Sequence, residues 1–393
     1  MTLWRVPRLA FGLRCHPHRS TSADSDEQLR RRQSGPRVPG VVPPLANRFN
    51  VGDEIGIMEV GRVREIWRYP VKSMGGERLA CSHVGSYGLW GDRGWGIRDD
   101  ATGVIHNAKR HPILMQCSAV YRAAPRADHI PHVDITLPDG AMISSDSPAV
   151  SQRLSELMGR RVVLRPLQPA ADTAYYRRRE PGSALLGRLA QYRPVRRLLQ
   201  WAVFRGRIAK ELREAFGREP GEPLPDLADV PGTVFEFYTP PGTYFDLFPI
   251  HVLTTSTLQL MSRLNPAANW DVRRFRPNVL VDTESTTAAV ENDWVGRAIR
   301  IGGFVVKGEL PTIRCAMPMH AQADLPRDPS VLRTIVREAN QCLGLYASVI
   351  QAGSVGTGDP VELLPGSAGR GFAKSSGELL GVLRREEPGG RSR

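Results

Sequence analysis

Short runs in which apolar residues alternate with polar ones begin near residue 58 and are the main pattern of the chain from there on. Six of these runs, separated by Gly and Asp turns, predict β-strands: VREIWRYPV, LACSHV, GWGIRDD, ILMQCSAVYR, HVDITL and RVVLRPL. The tripeptide PDG at 138–140 predicts a hairpin turn. Short strands at this spacing are typical of a small barrel or sandwich, so we expect a β-barrel-like domain over 58–169.

The region 232–365 mixes the periodicities of strands and helices. Strands are predicted for FPIHVLTT, PNVLVD, AIRIGGFVVKGEL, LYASVIQAG and DPVELLP, and helices for STLQLMSRLN and DPSVLRTIVREANQCLG. The second helix begins with the capping residue Asp328 and is followed by a glycine. We therefore predict a mainly β fold with α-helices (α+β), in which a second β-barrel domain covers 232–365.

An Arg-rich, helix-prone segment at 170–231 separates the two predicted β domains. From Val195 onward, apolar residues recur every three to four positions between basic ones, which predicts a basic amphipathic helix over 195–217. Such a helix can lie on an anionic membrane surface. It can equally pack across the two β domains and expose its basic face to water, and both interpretations stay open here.

The two ends of the chain carry most of its charge. The formal net charge is +13, and residues 1–50 hold nine Arg against three acids, while 366–393 hold six basic residues against three. What lies between is only mildly basic and shows no RNA-recognition signature, so we expect no nucleic-acid partner. We interpret 366–393 as a disordered tail and 1–57 as a disordered extension, an upstream start-codon misassignment or a targeting segment.

Cysteine usage and hydropathy exclude several classes of protein. No apolar run reaches the length of a transmembrane helix. The five cysteines are widely spaced and form no C-x-x-C pair, which argues against a zinc ribbon, a ferredoxin-type cluster or a disulfide framework. This pattern fits a reducing cytoplasm, and the bias of 48 Arg to 5 Lys indicates a GC-rich, bacterial coding sequence. Any redox function must then use a bound cofactor.

The stretch PTIRCAMP places Cys315 directly after Arg314 and between two prolines. A thiolate is the soft ligand that molybdenum, copper(I) or an iron–sulfur centre prefers. An isolated cysteine is, however, more often a small buried hydrophobe, and no neighbouring His or Asn indicates a nucleophile. From these residues alone, packing and metal ligation both remain open.

Four other stretches carry donors suited to an anion, each with a plain structural alternative. YPVKSMGG offers an ammonium, a hydroxyl and free backbone N–H groups, or only a surface turn. GDRGW offers an arginine beside an aspartate, which by default form an ion pair. RRFRPN offers a guanidinium and an amide suited to a phosphate or a pterin edge. LTTSTL is either a helix N-cap or an anion site.

The order of these motifs resembles the MOSC family, the molybdenum cofactor sulfurase C-terminal group. YPVKS and GLWGDRGW come first, followed by FPIHVLTTSTL, RRFRPNVLV, IRC and GLYASV…GSVGTGDPVEL. The first β domain is similar to the barrel that precedes MOSC in the mitochondrial amidoxime-reducing component and its bacterial relatives. The resemblance covers about 60–167 and 238–364, and it implies a cofactor site between the two β domains.

The resemblance also implies a role for individual residues. Cys315 matches the protein thiolate on molybdenum and is the implied catalytic and metal-binding residue. The implied contacts to the molybdenum–pyranopterin cofactor are Lys72, Ser73, Arg93, Thr254, Thr255, Thr257, Arg276, Asn278, Arg314 and Tyr346. The sequence departs from the amidoxime-reducing branch at Ile313, where that branch has Ser, and after Cys315, so the wall that faces the substrate is expected to differ.

The function implied by the resemblance is the reduction of small N-hydroxylated compounds, such as hydroxylamines and amidoximes, at a Cys-ligated molybdenum centre. Electrons would come from a separate donor, a ferredoxin or a flavin reductase, with the basic insertion as its candidate docking face through Arg196, Arg197 and Arg205. The alternative is a MOSC module that carries sulfur or binds cofactor without reductase activity. We expect a cytoplasmic monomer with, at most, peripheral membrane contact through 195–217.

Overall fold

The segments in which apolar and polar residues alternate form the strands of this protein. Its structure is a computed structural model, which describes residues 56–180, 182–192, 194–197, 207–284 and 288–365. Predictions for 1–55, for 366–393 and for 198–206 of the basic helix lie outside the described residues. The strands are β1 Met58–Arg68, β2 Glu77–Leu79, β3 Cys81–Gly85, β4 Gly88–Leu89, β5 Trp95–Arg98, β6 Ser118–Tyr121, β7 Val133–Thr136, β8 Met142–Ser144, β9 Val163–Pro166, β10 Ile250–Thr254, β11 Val279–Asp282, β12 Ala298–Ile301, β13 Phe304–Ile313, β14 Cys342–Gln351, β15 Gly353–Gly356 and β16 Pro360–Leu363. The described helices include α1 Val150–Met158, α2 Thr173–Tyr176, α3 Ser183–Leu189, α4 Arg207–Phe216, α5 Thr255–Leu264 and α6 Pro329–Glu338.

Seven strands close into a barrel in the order β11, β10, β14, β13, β12, β16 and β1, because β1 also pairs with β11. Neighbours in the barrel run antiparallel except for β10 and β11, which are parallel. Burial alternates along β13, as expected when every second side chain points inward. The interior contains fully buried aliphatic and aromatic side chains, among them Ile66, Val252, Val281, Ile299, Phe304, Val306 and Leu345.

The barrel takes strands from both predicted β domains. Strand β1 pairs Ile66 with Val279 of β11 and Met58 with Leu363 of β16. Strand β15, near the end of the described chain, pairs in turn with β3. The first turn after β1 is therefore held beside the barrel, and this arrangement brings distant motifs to one place.

A second hydrophobic core lies within the N-terminal region, between the β5–β9 pair, the β6–β7–β8 sheet and α1. The predicted PDG hairpin is confirmed: it joins β7 to β8, and Gly140 supplies a left-handed φ of 82°. The predicted strand ILMQCSAVYR is only half correct. Its first part is a 3-10 helix, Pro112–Gln116, because a proline at the first helical positions favours a helical start.

Helices α5 and α6 pack on the outside of the barrel, where Met261 and Ile335 share a core with Leu253 and Leu280. The N-cap of α6 is Asp328, whose side chain accepts from the Ser330 amide. Helices α2, α3 and α4 come from the predicted helical insertion. The fold is thus mainly β with α-helices, as the sequence predicted. In the described part of the chain, every helix is too short or too polar to pass through a lipid bilayer.

Candidate functional site

A cavity opens where the turn after β1 meets the end of β13 and the start of β11. Its walls bring together eight of the residues predicted from the sequence, together with several aromatic side chains. The lining residues are Lys72, Ser73, Arg93, Phe245, Asp246, Phe248, His251, Phe275, Arg276, Asn278, Ile313, Arg314, Cys315, Met317 and Tyr346. The barrel topology therefore converts a series of distant motifs into one site.

On one side of the cavity, two lysines share a single carboxylate. Lys72 Nζ lies 2.5 Å from Asp246 Oδ1 and donates to the Tyr244 carbonyl at 2.8 Å, while Lys109 Nζ lies 2.8 Å from Asp246 Oδ2. Burial alone would raise the pKa of Asp246, but the two ammonium groups hold that pKa well below its ordinary value. Burial lowers the pKa of Lys72, and Asp246 opposes that shift. This side keeps an excess of positive charge.

Arg93 and Arg276 both lie over the ring of Tyr69, with their guanidinium carbons 5.1 and 4.1 Å from its centroid. Arg93 forms a close ion pair with Asp92. Arg276 donates through Nη1 to the Met74 carbonyl, but its buried Nη2 has no hydrogen-bond partner among the described residues. Burial, followed by the charge of Arg93, lowers the pKa of Arg276 to about 10. Arg276 thus keeps a buried donor for a ligand.

Cys315 lies just beyond β13, half-buried at the cavity wall. The preceding residue, Arg314, is 6% exposed and donates through Nη2 to the Phe275 carbonyl at 3.1 Å. Its buried Nε has no partner among the described residues, and burial lowers its pKa. Lys109 and Arg218 also interact electrostatically with the Cys315 sulfur. The thiol therefore faces the cavity from strongly cationic surroundings.

Three cavity residues adopt a left-handed backbone conformation, which side chains other than glycine seldom adopt. The φ angles are 71° at Ser73, 53° at Arg93 and 54° at Arg276. Such strained residues cluster at functional sites, where the surrounding structure maintains them. At Ser73 the turn lets the hydroxyl accept from the Ala108 amide at 2.9 Å, so its own proton is available to a ligand.

Asn278 and Tyr346 contribute mainly to the geometry of the site. Asn278 accepts the His251 amide at 3.1 Å and donates to Asp92 at 3.0 Å, so its amide joins β10 to the ion pair of Arg93. Tyr346 is on β14, with its ring 5.7 Å from those of Phe248 and His251. Burial raises the pKa of Tyr346 to about 12. Tyr346 therefore faces the cavity as a neutral phenol at physiological pH.

The three predicted threonines do not line the cavity. Thr254 is the N-cap of α5 and accepts from the Thr257 amide at 3.2 Å. The hydroxyls of Thr254 and Thr257 both donate to Glu291 Oε2 at 2.6 Å, and the Thr255 hydroxyl donates to Asp282 at 3.0 Å. The helix-cap interpretation of LTTSTL therefore matches the geometry, and cofactor contact by these threonines stays an untested prediction.

Sequence reasoning missed several residues of the site. Asp246 and Lys109 were not predicted, since only the folded chain brings them to Lys72. Arg274 was not predicted either, although it belongs to RRFRPN and is two residues before Arg276. It is fully buried and donates to the carbonyls of Asn269, Pro318, His320 and Pro326, which ties down the segment after Cys315. A buried arginine in this position carries no signal in the sequence that distinguishes it from Arg276.

Family comparisons agree with this arrangement of motifs. The MOSC domain matches residues 243–362, and the MOSC N-terminal beta barrel domain matches residues 60–159, which together cover more than half of the chain. The chain belongs to the MOSC family. MOSC domains are known as molybdenum cofactor-binding, sulfurase-like modules. Both matched ranges supply residues that line the cavity, and the insertion between them is matched by neither.

Solved structures provide more distant likenesses. The YUAD protein from Bacillus subtilis has 11% identity and a TM-score of 0.35, covering 78% of this chain and 96% of its own. YiiM from Geobacillus stearothermophilus has 18% identity and a TM-score of 0.25, covering 31% of this chain and 57% of its own. YiiM from Escherichia coli has 17% identity with the same TM-score and coverage. Among curated proteins, none matches this chain.

The residues of this MOSC cavity suit an anionic cofactor with a soft metal. Within the described ranges, no group of three or more His, Cys, Asp or Glu side chains could hold a metal ion by itself. A metal bound here would therefore depend on Cys315 and on ligands brought by the cofactor. Among the residues that the structure describes, Arg276 and Arg314 each have a buried donor nitrogen without an acceptor, which an anionic group would satisfy.

Proposed function

We propose that this MOSC protein binds the molybdenum–pyranopterin cofactor in the cavity and reduces small N-hydroxylated compounds such as hydroxylamines and amidoximes. One observation carries the proposal: the half-buried Cys315 thiol shares a cavity with two buried guanidinium groups, each of which has one nitrogen without an acceptor among the described residues. Burial of a charged donor without a partner is costly, so a fold that maintains two of them favours a ligand.

Cys315 would act as the protein ligand, since a thiolate suits molybdenum. Lys72, Ser73, Arg93, Arg276 and Arg314 would hold the phosphate and the pterin through charge-assisted hydrogen bonds. Asn278 would orient Asp92 and, through it, Arg93. The aromatic side chains that also line the cavity, Phe245, Phe248, Phe275 and Tyr346, would limit access of water to the site.

When bound, the cofactor supplies the two-electron chemistry that removes the hydroxyl oxygen from the substrate nitrogen. The overall reaction takes a hydroxylamine, two electrons and two protons to an amine and water. The electrons would come from a separate ferredoxin or flavin reductase. The chain's own contribution would be to orient the cofactor, neutralise its charge and limit access of water.

The basic insertion remains the candidate docking face for an acidic electron donor, with one revision. Arg196 donates to the carbonyls of Ala228, Ala190 and Gln191 at 2.7, 2.7 and 3.0 Å, so its guanidinium is committed to the fold. Arg197 is exposed, while Arg205 lies outside the described residues. Charge reversal at Arg197 is therefore the cleaner test, and it should slow electron transfer at low salt.

The proposal is tested with full-length protein purified from cells that make molybdenum cofactor. We expect reduction of an aryl amidoxime with a chemical or protein electron donor, and loss of that activity in Cys315→Ser. Cofactor bound without any reduction would contradict the reductase activity. A transferable sulfur atom found on Cys315 by mass spectrometry would instead support the sulfur-carrier alternative.

A further inference from the structure

The insertion ends directly against the segment that carries Cys315. Helix α4 stops at Phe216, and the chain turns through Gly217 with a φ of 62°. A Cβ at this glycine would lie 2.8 Å from Leu332 Cδ2 and 3.1 Å from the Cβ of Ala316. The left-handed conformation and the close approach both require glycine here.

Hydrogen bonds from the insertion reach both peptide bonds of Cys315. Arg218 Nη2 donates at 3.0 Å to the carbonyl of Arg314, which belongs to the peptide bond before Cys315. The amide of Ala316, in the peptide bond after Cys315, donates to the Ala215 carbonyl at 3.3 Å. The backbone on either side of the thiol is therefore held by one short stretch of the insertion, residues 215–218.

Arg218 is well placed to fix this geometry. It is 5% exposed, and its Nε donates at 3.0 Å to Gln341 Oε1 while Nη1 donates at 2.6 Å to the Phe216 carbonyl. The Gln341 carbonyl in turn accepts the Arg314 amide at 2.9 Å. Arg314 is thus held at its N–H by Gln341 and at its carbonyl by Arg218, two residues that bond to each other.

Further contacts anchor the insertion to α6. Arg333 of α6 donates to the Gly217 carbonyl and lies 2.6 Å from Glu222. Within the insertion, Arg213 donates to the carbonyls of Glu219 and Glu222 at 3.0 and 2.8 Å. These bonds of Arg213 stabilise the same loop and go to Glu219 and Glu222 rather than to residues 314–316, which makes Arg213 a matched control for Arg218.

We infer that Arg218 is a positioning residue for Cys315, and that the insertion is a structural part of the cavity rather than an appendage. This inference rests on the proposed function only for its consequence, the orientation of a metal ligand. Residues 215–218 lie outside both ranges matched by the family domains, 60–159 and 243–362. The hydrogen bonds that hold the Cys315 backbone therefore come from the insertion and not from either matched domain.

The test compares Arg218→Gln, Arg218→Lys and the control Arg213→Gln in the full chain. In cofactor-free protein, hydrogen exchange of a peptide covering 313–318 should be about tenfold faster in Arg218→Gln, because the segment has lost a buried hydrogen bond. In protein isolated with cofactor, molybdenum retention should fall roughly ten- to a hundredfold. The electron paramagnetic resonance spectrum of the remaining metal should change as well.

The lysine variant should give a partial effect, because an ammonium keeps the charge but not the fork that serves three acceptors. Arg213→Gln should behave like the parent protein. If Arg218→Gln does not fold, Gln341→Met removes one acceptor of Arg218 and should accelerate exchange in the same peptide. Exchange, retention and spectrum at parent values in a folded variant would overturn the inference.

The two readouts separate this inference from the proposed function. Faster exchange in Arg218→Gln, in a protein whose parent retains no molybdenum, would support the positioning role and contradict the proposed cofactor. If the parent protein retains molybdenum, and hydrogen exchange and molybdenum retention are unchanged in Arg218→Gln, the proposed cofactor is supported and the positioning role is contradicted.

Discussion

Two buried polar regions flank the barrel strand β10, and they differ in how completely they satisfy their own hydrogen bonds. At its C-terminal end, the hydroxyls of Thr254 and Thr257 both donate to Glu291. In the cavity near its start, Arg276 and Arg314 keep buried donor nitrogens that have no partner in the described part of the chain. The first region uses its hydroxyl donors internally and leaves one acceptor, Glu291 Oε1, unpaired among the described residues, whereas the cavity leaves cationic donors unpaired.

The contrast recurs within a single motif. In RRFRPN, Arg274 and Arg276 are two residues apart and both buried, at 0% and 7% exposure. Arg274 donates to four backbone carbonyls, whereas Arg276 makes one such bond and leaves Nη2 unpaired. Residue type and burial therefore do not distinguish Arg274 from Arg276, whereas their hydrogen-bond partners do.

The largest expected effect comes from this pair of arginines. Arg274→Met should lower the free energy of unfolding by about 3 kcal/mol, because four carbonyls, one of them in a fully buried bond, lose a charged donor. Arg276→Met should change it by no more than about 1 kcal/mol, since an apolar side chain removes a buried, incompletely paired charge. Chemical denaturation of cofactor-free protein measures both values. Equal losses in the two variants would remove the distinction.

Glu291 offers the next test of the comparison. Glu291→Ala should cost about 2 kcal/mol, because it leaves two buried hydroxyls without their acceptor, and Glu291→Gln should cost less since its amide oxygen still accepts. Molybdenum per folded chain should stay at the parent value in both. A loss of molybdenum from stably folded variants would instead support cofactor contact by Thr254 and Thr257.

A smaller effect is expected from Asp246, and it depends on pH. The folded-state pKa of Asp246 is depressed, so its stabilising contribution is present above the ordinary carboxyl value of 3.8 and is lost as the pH falls through the lower folded value. Asp246→Asn should therefore cost about 1 kcal/mol at neutral pH, because the carboxylate is a third exposed, and progressively less in acid. Urea denaturation at neutral and acidic pH measures the difference. A cost that does not change with pH would contradict the charge pairing.

Much of the cavity could be predicted because the order of the motifs resembles the MOSC family, and eight of the residues that this resemblance implied line it. Arg276 precedes β11 and Arg314 and Cys315 follow β13, so the closed barrel brings these three together, whereas Lys72 and Arg93 lie in turns of the N-terminal region that pack beside it. The threonine motif was ambiguous for a physical reason, because a helix N-cap and an anion site use the same hydroxyls and amides. Only the position of Glu291 shows which donors are already used.

The rest of the site depends on contacts between distant parts of the chain. Asp246 joins Lys72 and Lys109 through side chains alone. Arg218 belongs to an Arg-rich segment in which nothing local distinguishes it from its neighbours. The division of the chain at 169 and 232 stays a prediction, while the barrel itself takes strands from either side of that division.

Molybdenum analysis of full-length protein made with cofactor available shows whether Cys315 holds a metal. Cys342 provides the matched control, since it is also half-buried and likewise within electrostatic reach of Arg314 and Arg218. We expect roughly one molybdenum atom per chain in the parent protein and in Cys342→Ser, and almost none in Cys315→Ser. A folded parent protein without molybdenum, or equal content in the two variants, would contradict this expectation.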